Sequence, residues 1–177
     1  MQNGGGRICN LNFIKGLFDI ELEDGARIGN MNKVSSASKI NYHDVVFRLG
    51  AKTNLNANHQ LDMTDSITIG NNSLIAGTQT QIWTHSFLIP KSKGRRVRVD
   101  SPVTIGDNCY VGSRCSIMPG VNISDNITVG AQTCVSKSLK EEGLYVSQPL
   151  RFIEFDADEK LNSFGDSIAN GYIYRKQ

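Results

Sequence analysis

Rigid and aromatic residues are scarce in this sequence, which has four prolines, one tryptophan and an aromatic content of 7% over 177 residues. It also lacks an excess of one charge: 19 lysines and arginines stand against 17 aspartates and glutamates, a formal +2. That balance excludes the global positive field of a nucleic-acid-binding protein and leaves room only for a local basic patch. No stretch reaches the roughly 18 apolar residues of a membrane-spanning helix, and Met1 to Gly6 does not run from basic to apolar as a secretory leader does. A cytoplasmic protein without a membrane span is expected. Four cysteines, Cys9, Cys109, Cys115 and Cys134, form no Cys-x-x-Cys pair, so they are expected to be reduced thiols rather than a disulfide framework.

Hydrophobic residues at 39% and charged residues at 20% suffice for one folded core, and the length fits a single domain. Glycine, at 17 residues, and asparagine, at 16, are abundant. Both accept positive φ readily, so the chain is expected to turn often without proline.

The main signal is a period of six. Frames open at Ile105, Val111, Ile117, Ile123, Val129 and Val135, each with a β-branched aliphatic, and glycine or serine often comes second. A helix needs a period near 3.6 and a plain strand one of 2, so neither explains it. The fifth places, Cys109, Cys115, Val121, Ile127 and Thr133, are small or branched. Two inward residues and one turn per hexad describe a very short strand and a bend, three of which close one coil of 18 residues. An upstream series repeats the rhythm through Leu22, Ile28, Val34, Ile40 and Val46, then Leu49, Leu55, Leu61 and Ile67, then Ile69 and Ile75, with slips near 46–49 and 67–69. The expected architecture is an all-β parallel β-helix solenoid. Residues 11–21 enter and cap it, residues 22–139 form it with an excursion over 88–102, and residues 140–177 extend from it. Phe155 to Asn162 is expected as a short helix with acids near its start.

Thr104 to Ser113, then Ile117-Met118-Pro119-Gly120-Val121, Val129-Gly130-Ala131 and Val135-Ser136-Lys137, resemble the hexapeptide-repeat acyltransferases over roughly residues 22 to 152. The sugar and polysaccharide O-acetyltransferases are the most similar branch. The resemblance implies a left-handed helix, although parallel crossovers are normally right-handed. It also implies a homotrimer with acetyl-CoA in the cleft between subunits. His85, in Gln81-Ile82-Trp83-Thr84-His85-Ser86, stands where the family carries its general base. An imidazole with an ordinary pKa of about 6.5 suits removal of a hydroxyl proton during attack on a thioester. By the same resemblance Ser113, Ala131, Ser136, Lys137 and Arg151 would hold acetyl-CoA. Trp83, two residues before His85, is a candidate contact for a carbohydrate acceptor. The family often has Trp where Tyr110 stands, so a role for Tyr110 at the oxyanion would rest on its hydroxyl. Ser147-Gln148-Pro149-Leu150 departs from the usual Gly-Asn-Pro-Ala, and the frequent second histidine after His85 is absent, so the partner that orients His85 is not named.

Three of the five cations within Lys91 to Arg98, namely Arg95, Arg96 and Arg98, are candidates for an anionic acceptor or for the CoA phosphates of a neighbouring subunit. No aromatic pair is interleaved there to stack nucleic-acid bases. His43 and His59, among polar turn residues, are expected at the surface. Their spacing relative to His85 matches no zinc motif, so no metal is expected. Cys109, Cys115 and Cys134 are expected to pack. The leading expectation is O-acetylation of a capsule, O-antigen or related sugar. The alternatives are N-acetylation of a nucleotide-linked amino sugar and a non-catalytic assembly module.

Overall fold

The residue that opens each hexad is the inward one. In a computed structural model, which describes residues 5–36, 43–91, 94–147, 151–156, 168–169 and 172–173, Ile105, Val111, Ile117, Ile123, Val129 and Val135 are all fully buried. The fifth places are buried too. Because successive side chains of a strand point to opposite faces, a two-residue strand such as Tyr110–Val111 sends one aliphatic into the axis, and a three-residue strand such as Ile67–Ile69 or Val103–Ile105 sends two and keeps the middle residue outside. The inward residues form one continuous core along the solenoid.

The fold is a left-handed parallel β-helix with three faces. The first runs through Arg7–Ile8, Arg27–Ile28, Asn54–Leu55, Leu74–Ile75, Tyr110–Val111, Ile127–Val129 and Gly143–Val146, and ends on antiparallel Arg151–Ile153. The second stacks Phe13–Lys15, Lys33–Ser35, Gln60–Asp62, Gln81–Ile82, Ser116–Ile117 and Cys134–Val135. The third stacks Asp19–Leu22, Val46–Leu49, Ile67–Ile69, Val103–Ile105 and Asn122–Ile123. Ile105 pairs with Ile123 and Ile117 with Val135, one 18-residue coil apart.

Corners explain the glycine and asparagine content. Asn72 and Asn108, each two residues before a strand of the first face, and Asn126, one residue before another, have φ between 51 and 59°, the left-handed region where asparagine is favoured. The glycine that follows an inward residue answers a different need. A Cβ on Gly112 would stand 2.7 Å from the backbone nitrogen of Ala131 in the next coil, too close for any side chain. Side-chain amides and carboxylates satisfy corner backbone groups: Asp107 accepts from the Asn71 amide, and Asp125 from the Asp107 amide.

Three boundaries differ from expectation. The solenoid begins earlier than residue 22, since Arg7–Ile8 already pairs in parallel with Arg27–Ile28 and Phe13–Lys15 with Lys33–Ser35, so residues 11–21 belong to a coil. The excursion leaves at His85, not Leu88, as an antiparallel hairpin of His85–Leu88 with Val97–Asp100. Its base is closed by the Ser101 amide donating to the Thr84 carbonyl at 2.8 Å. Leu22 pairs with Leu49, so the frame through Ile40 and Val46 breaks: Phe47 and Leu49 are the inward residues, and Ile40 lies outside the described residues. At the C-terminal end Phe155 and Asp156 are not helical, and the remainder of the expected helix, 157–162, lies outside the described residues. Among the described residues no helix is long and apolar enough to cross a membrane.

Candidate active site

His85 stands at the corner where the chain leaves the second face, and Asp62 stands one coil below it. The register pairs Ile82 with Leu61, which brings Asp62 opposite Trp83 and next to the hairpin base. Nδ1 of His85 lies 2.6 Å from Oδ2 of Asp62. The two side chains are 18% and 5% exposed. Asp62 is in turn held by donors: the Thr64 hydroxyl donates to Oδ1 at 2.7 Å, and the Thr84 amide to Oδ2 at 3.1 Å. The Thr84 hydroxyl donates to the Asp62 carbonyl at 2.7 Å and accepts from the Asp65 amide at 2.9 Å. A carboxylate acceptor on Nδ1 places the neutral ring's proton there and leaves the Nε2 lone pair for a ligand.

His85 and Asp62 line a cleft of about 730 Å³, whose walls include Phe13, Lys15, Leu17, Lys33 and Trp83. Volume and mixed lining suit a small-molecule site. The hairpin forms the other side of His85: Phe87 meets the imidazole edge-on with centroids 5.5 Å apart, and the Arg96 guanidinium lies 4.9 Å over the Phe87 ring. Arg98 is paired with Asp100, its Nη2 2.8 Å from Oδ2. Arg95 is exposed. Of the three arginines, one is thus packed on an aromatic ring and one engaged by a carboxylate.

The remaining predicted residues lie at four places. Ser113 and Ala131 share the corner between the first and second faces: a Cβ on Gly77 would overlap the Ser113 hydroxyl, and Gly112 abuts Ala131. Ser136 and Lys137 are exposed on the corner that follows Cys134–Val135, on the same side as His85 and two strands later. Arg151 opens the final strand of the first face. Tyr110 is exposed on the first face, between Leu74 and Thr128, so one protomer does not bring it to His85, which lies beyond the second.

Two expectations about histidine and cysteine are corrected. His59 is 2% exposed rather than at the surface; its Nδ1 accepts from the Thr80 amide at 3.1 Å, and burial pushes its pKa down to about 4. His43 is exposed and bonds Asp65 at 3.0 Å. Cys109 and Cys115 pack inside, each with a thiol pKa raised by burial, but Cys134 is exposed, because it takes the outward place beside inward Val135. Among the described residues no cluster of three or more His, Cys, Asp or Glu is placed to hold a metal.

Asp62 is the site residue that sequence reasoning missed. Its signal was its place immediately after inward Leu61, as Trp83 follows inward Ile82, and the three extra residues in that coil hid it.

Residues 102–136 match the sequence pattern of the family described as the hexapeptide repeat of succinyl-transferase. The galactoside O-acetyltransferase of Escherichia coli (strain K12) is 34% identical over 116 residues, 64% of this chain and 57% of its own length. YJL218W of Saccharomyces cerevisiae, named provisionally as an acetyltransferase, is 34% identical over 172 residues, 84% of this chain and 88% of its own. The chain therefore spans a little over half of the first relative and most of the second. In fold it is similar to AntD, an N-acyltransferase from Bacillus cereus solved with dTDP and 3-hydroxybutyryl-CoA, with a TM-score of 0.68, 18% identity and coverage of 89% of this chain and 85% of that one.

Proposed function

The chain belongs to the hexapeptide-repeat acetyltransferases, and from that premise we propose that it transfers the acetyl group of acetyl-CoA directly to a carbohydrate hydroxyl, with His85 as general base. The observation that carries this reading is the half-buried His85 held by the buried carboxylate of Asp62 at the wall of the 730 Å³ cleft. Nε2 accepts the hydroxyl proton as the sugar oxygen attacks the thioester carbonyl. Asp62 keeps the ring in the tautomer that can do so and stabilises the imidazolium that forms. The tetrahedral oxyanion then collapses, the C–S bond breaks, and the CoA sulfur leaves with the proton returned from His85. Direct attack needs no acyl-enzyme, because holding both substrates together supplies the advantage of proximity.

Ser113 and Ala131 would line the pantetheine arm, and Ser136, Lys137 and Arg151 its far end, where CoA phosphates require positive charge. Trp83 and the arginines Arg95, Arg96 and Arg98 would face the acceptor. The separation of Tyr110 from His85 fits a homotrimer in which one subunit's Tyr110 meets the oxyanion formed at a neighbour's His85. An amine acceptor would use the same base in this chain, and only the acceptor separates the two readings. The test is incubation with labelled acetyl-CoA and a panel of glycans and amino sugars. Label on a sugar oxygen supports the proposal, whereas label confined to amines moves the enzyme to N-acetylation. No transfer to any member of the panel contradicts both.

A further inference from the structure

Two lysines, Lys15 and Lys33, line the cleft in front of His85. Lys15 and Lys33 lie on adjacent strands of the second face, where Phe13 pairs with Lys33 and Lys15 with Ser35. Both line the cleft and both are exposed. Among the described residues the ion pairs are His43–Asp65, Arg48–Glu21, His85–Asp62 and Arg98–Asp100, so neither lysine is neutralised by a described carboxylate. Among the described residues the acid in the cleft wall is Asp62, and its oxygens are already taken by His85, Thr64 and Thr84. Two ammonium groups facing one small cleft repel each other unless an anion enters.

Their position separates them from the residues assigned to acetyl-CoA. Along the second face the strands run 13–15, 33–35, 60–62, 81–82, 116–117 and 134–135. With neighbouring strands about 4.8 Å apart, Lys33 lies two strands to one side of Gln81, and Ser136 and Lys137 follow the strand two places to the other. Ser113 and Ala131 also belong to the later coils. The donor is thereby assigned to the later coils and the acceptor to the earlier ones, with His85 between them. Phe13 and Trp83, on the same cleft wall, offer rings against which a sugar or a base can pack.

We infer that the acceptor is an anionic sugar, one that carries a phosphate or a carboxylate, and that Lys15 and Lys33 hold that group while His85 addresses the hydroxyl. This rests on the acetyl-transfer reading for its chemistry but not for its binding. The test is calorimetric titration of the full chain with UDP-glucose, glucuronic acid, methyl glucoside and CoA, at low and at physiological salt. It is applied to the wild type, to Lys15→Gln/Lys33→Gln, to Lys15→Arg/Lys33→Arg and to His85→Ala. An anionic probe is expected to bind at least about tenfold more tightly than methyl glucoside. The Gln pair should lose that margin and its salt dependence, while the Arg pair keeps both and CoA binding stays within about twofold. A response to UDP-glucose alone identifies phosphate as the recognised group, and a response to glucuronic acid alone identifies carboxylate. Equal binding of charged and neutral sugars overturns the inference, as does a Gln pair that weakens CoA instead. Because binding by His85→Ala is expected to persist, a chain that binds the anion yet transfers no acetyl group upholds the inference and contradicts only the transfer reaction.

Discussion

Asp62 Oδ2 lies 2.6 Å from His85 Nδ1 although the two residues are separated by a full coil of chain. Asp62 touches no reacting atom and acts through the ring it holds. Asp62→Asn, nearly isosteric, should lower kcat by roughly 10²-fold while acetyl-CoA KM changes little, because the amide can hold the wrong tautomer and cannot stabilise the imidazolium. A pH–rate profile separates this from a merely structural role. The variant's acidic limb, set by the base's need to be unprotonated, should move, and an unmoved profile with wild-type kcat would exclude the pair from catalysis.

The active site should need more than one subunit. Light scattering is expected to give about three times 19.5 kDa. Tyr110→Phe should lower kcat by about 10- to 100-fold if its hydroxyl serves the oxyanion. Subunits carrying His85→Ala, refolded together with subunits carrying Tyr110→Phe, should regain activity that neither parent shows. Mixtures no more active than their parents would put both groups in separate sites.

His59 predicts an acid sensitivity. Its pKa is about 4 in the folded protein against 6.5 as the ordinary value. Between those limits the unfolded chain binds a proton that the folded chain refuses, so stability is fully present above about pH 6.5 and falls as pH drops toward 4. The loss attached to this residue is on the order of 2–3 kcal/mol. Urea unfolding of wild type and His59→Asn across this range checks it. The difference between them should shrink or reverse toward acid, and a constant difference would contradict the assignment.

Much of this fold was legible because a hexad leaves little freedom. A β-branched residue every sixth place with a glycine after it, as at Ile105-Gly106 and Val111-Gly112, forces a strand, a corner and a close stack. The first coil was less readable, since Ile8, Phe13 and Ile14 stand at the open end of the solenoid and remain exposed, without the clean burial of the middle coils. Asp62 was hidden by a slip in spacing, and His59 by polar neighbours that suggested a surface turn, although its side chain occupies an inward place just before the strand at Gln60. The candidate base was legible through its motif. The carboxylate that holds it became visible only when the coils were stacked.

The most direct measurement is steady-state turnover of His85→Ala with acetyl-CoA and an acceptor found in the panel, alongside CoA binding by the same variant. The account predicts a fall in kcat of roughly 10²- to 10⁴-fold with CoA affinity nearly unchanged, because the substitution removes proton transfer and leaves the donor's contacts in place. A folded His85→Ala protein that turns over at the wild-type rate would contradict it.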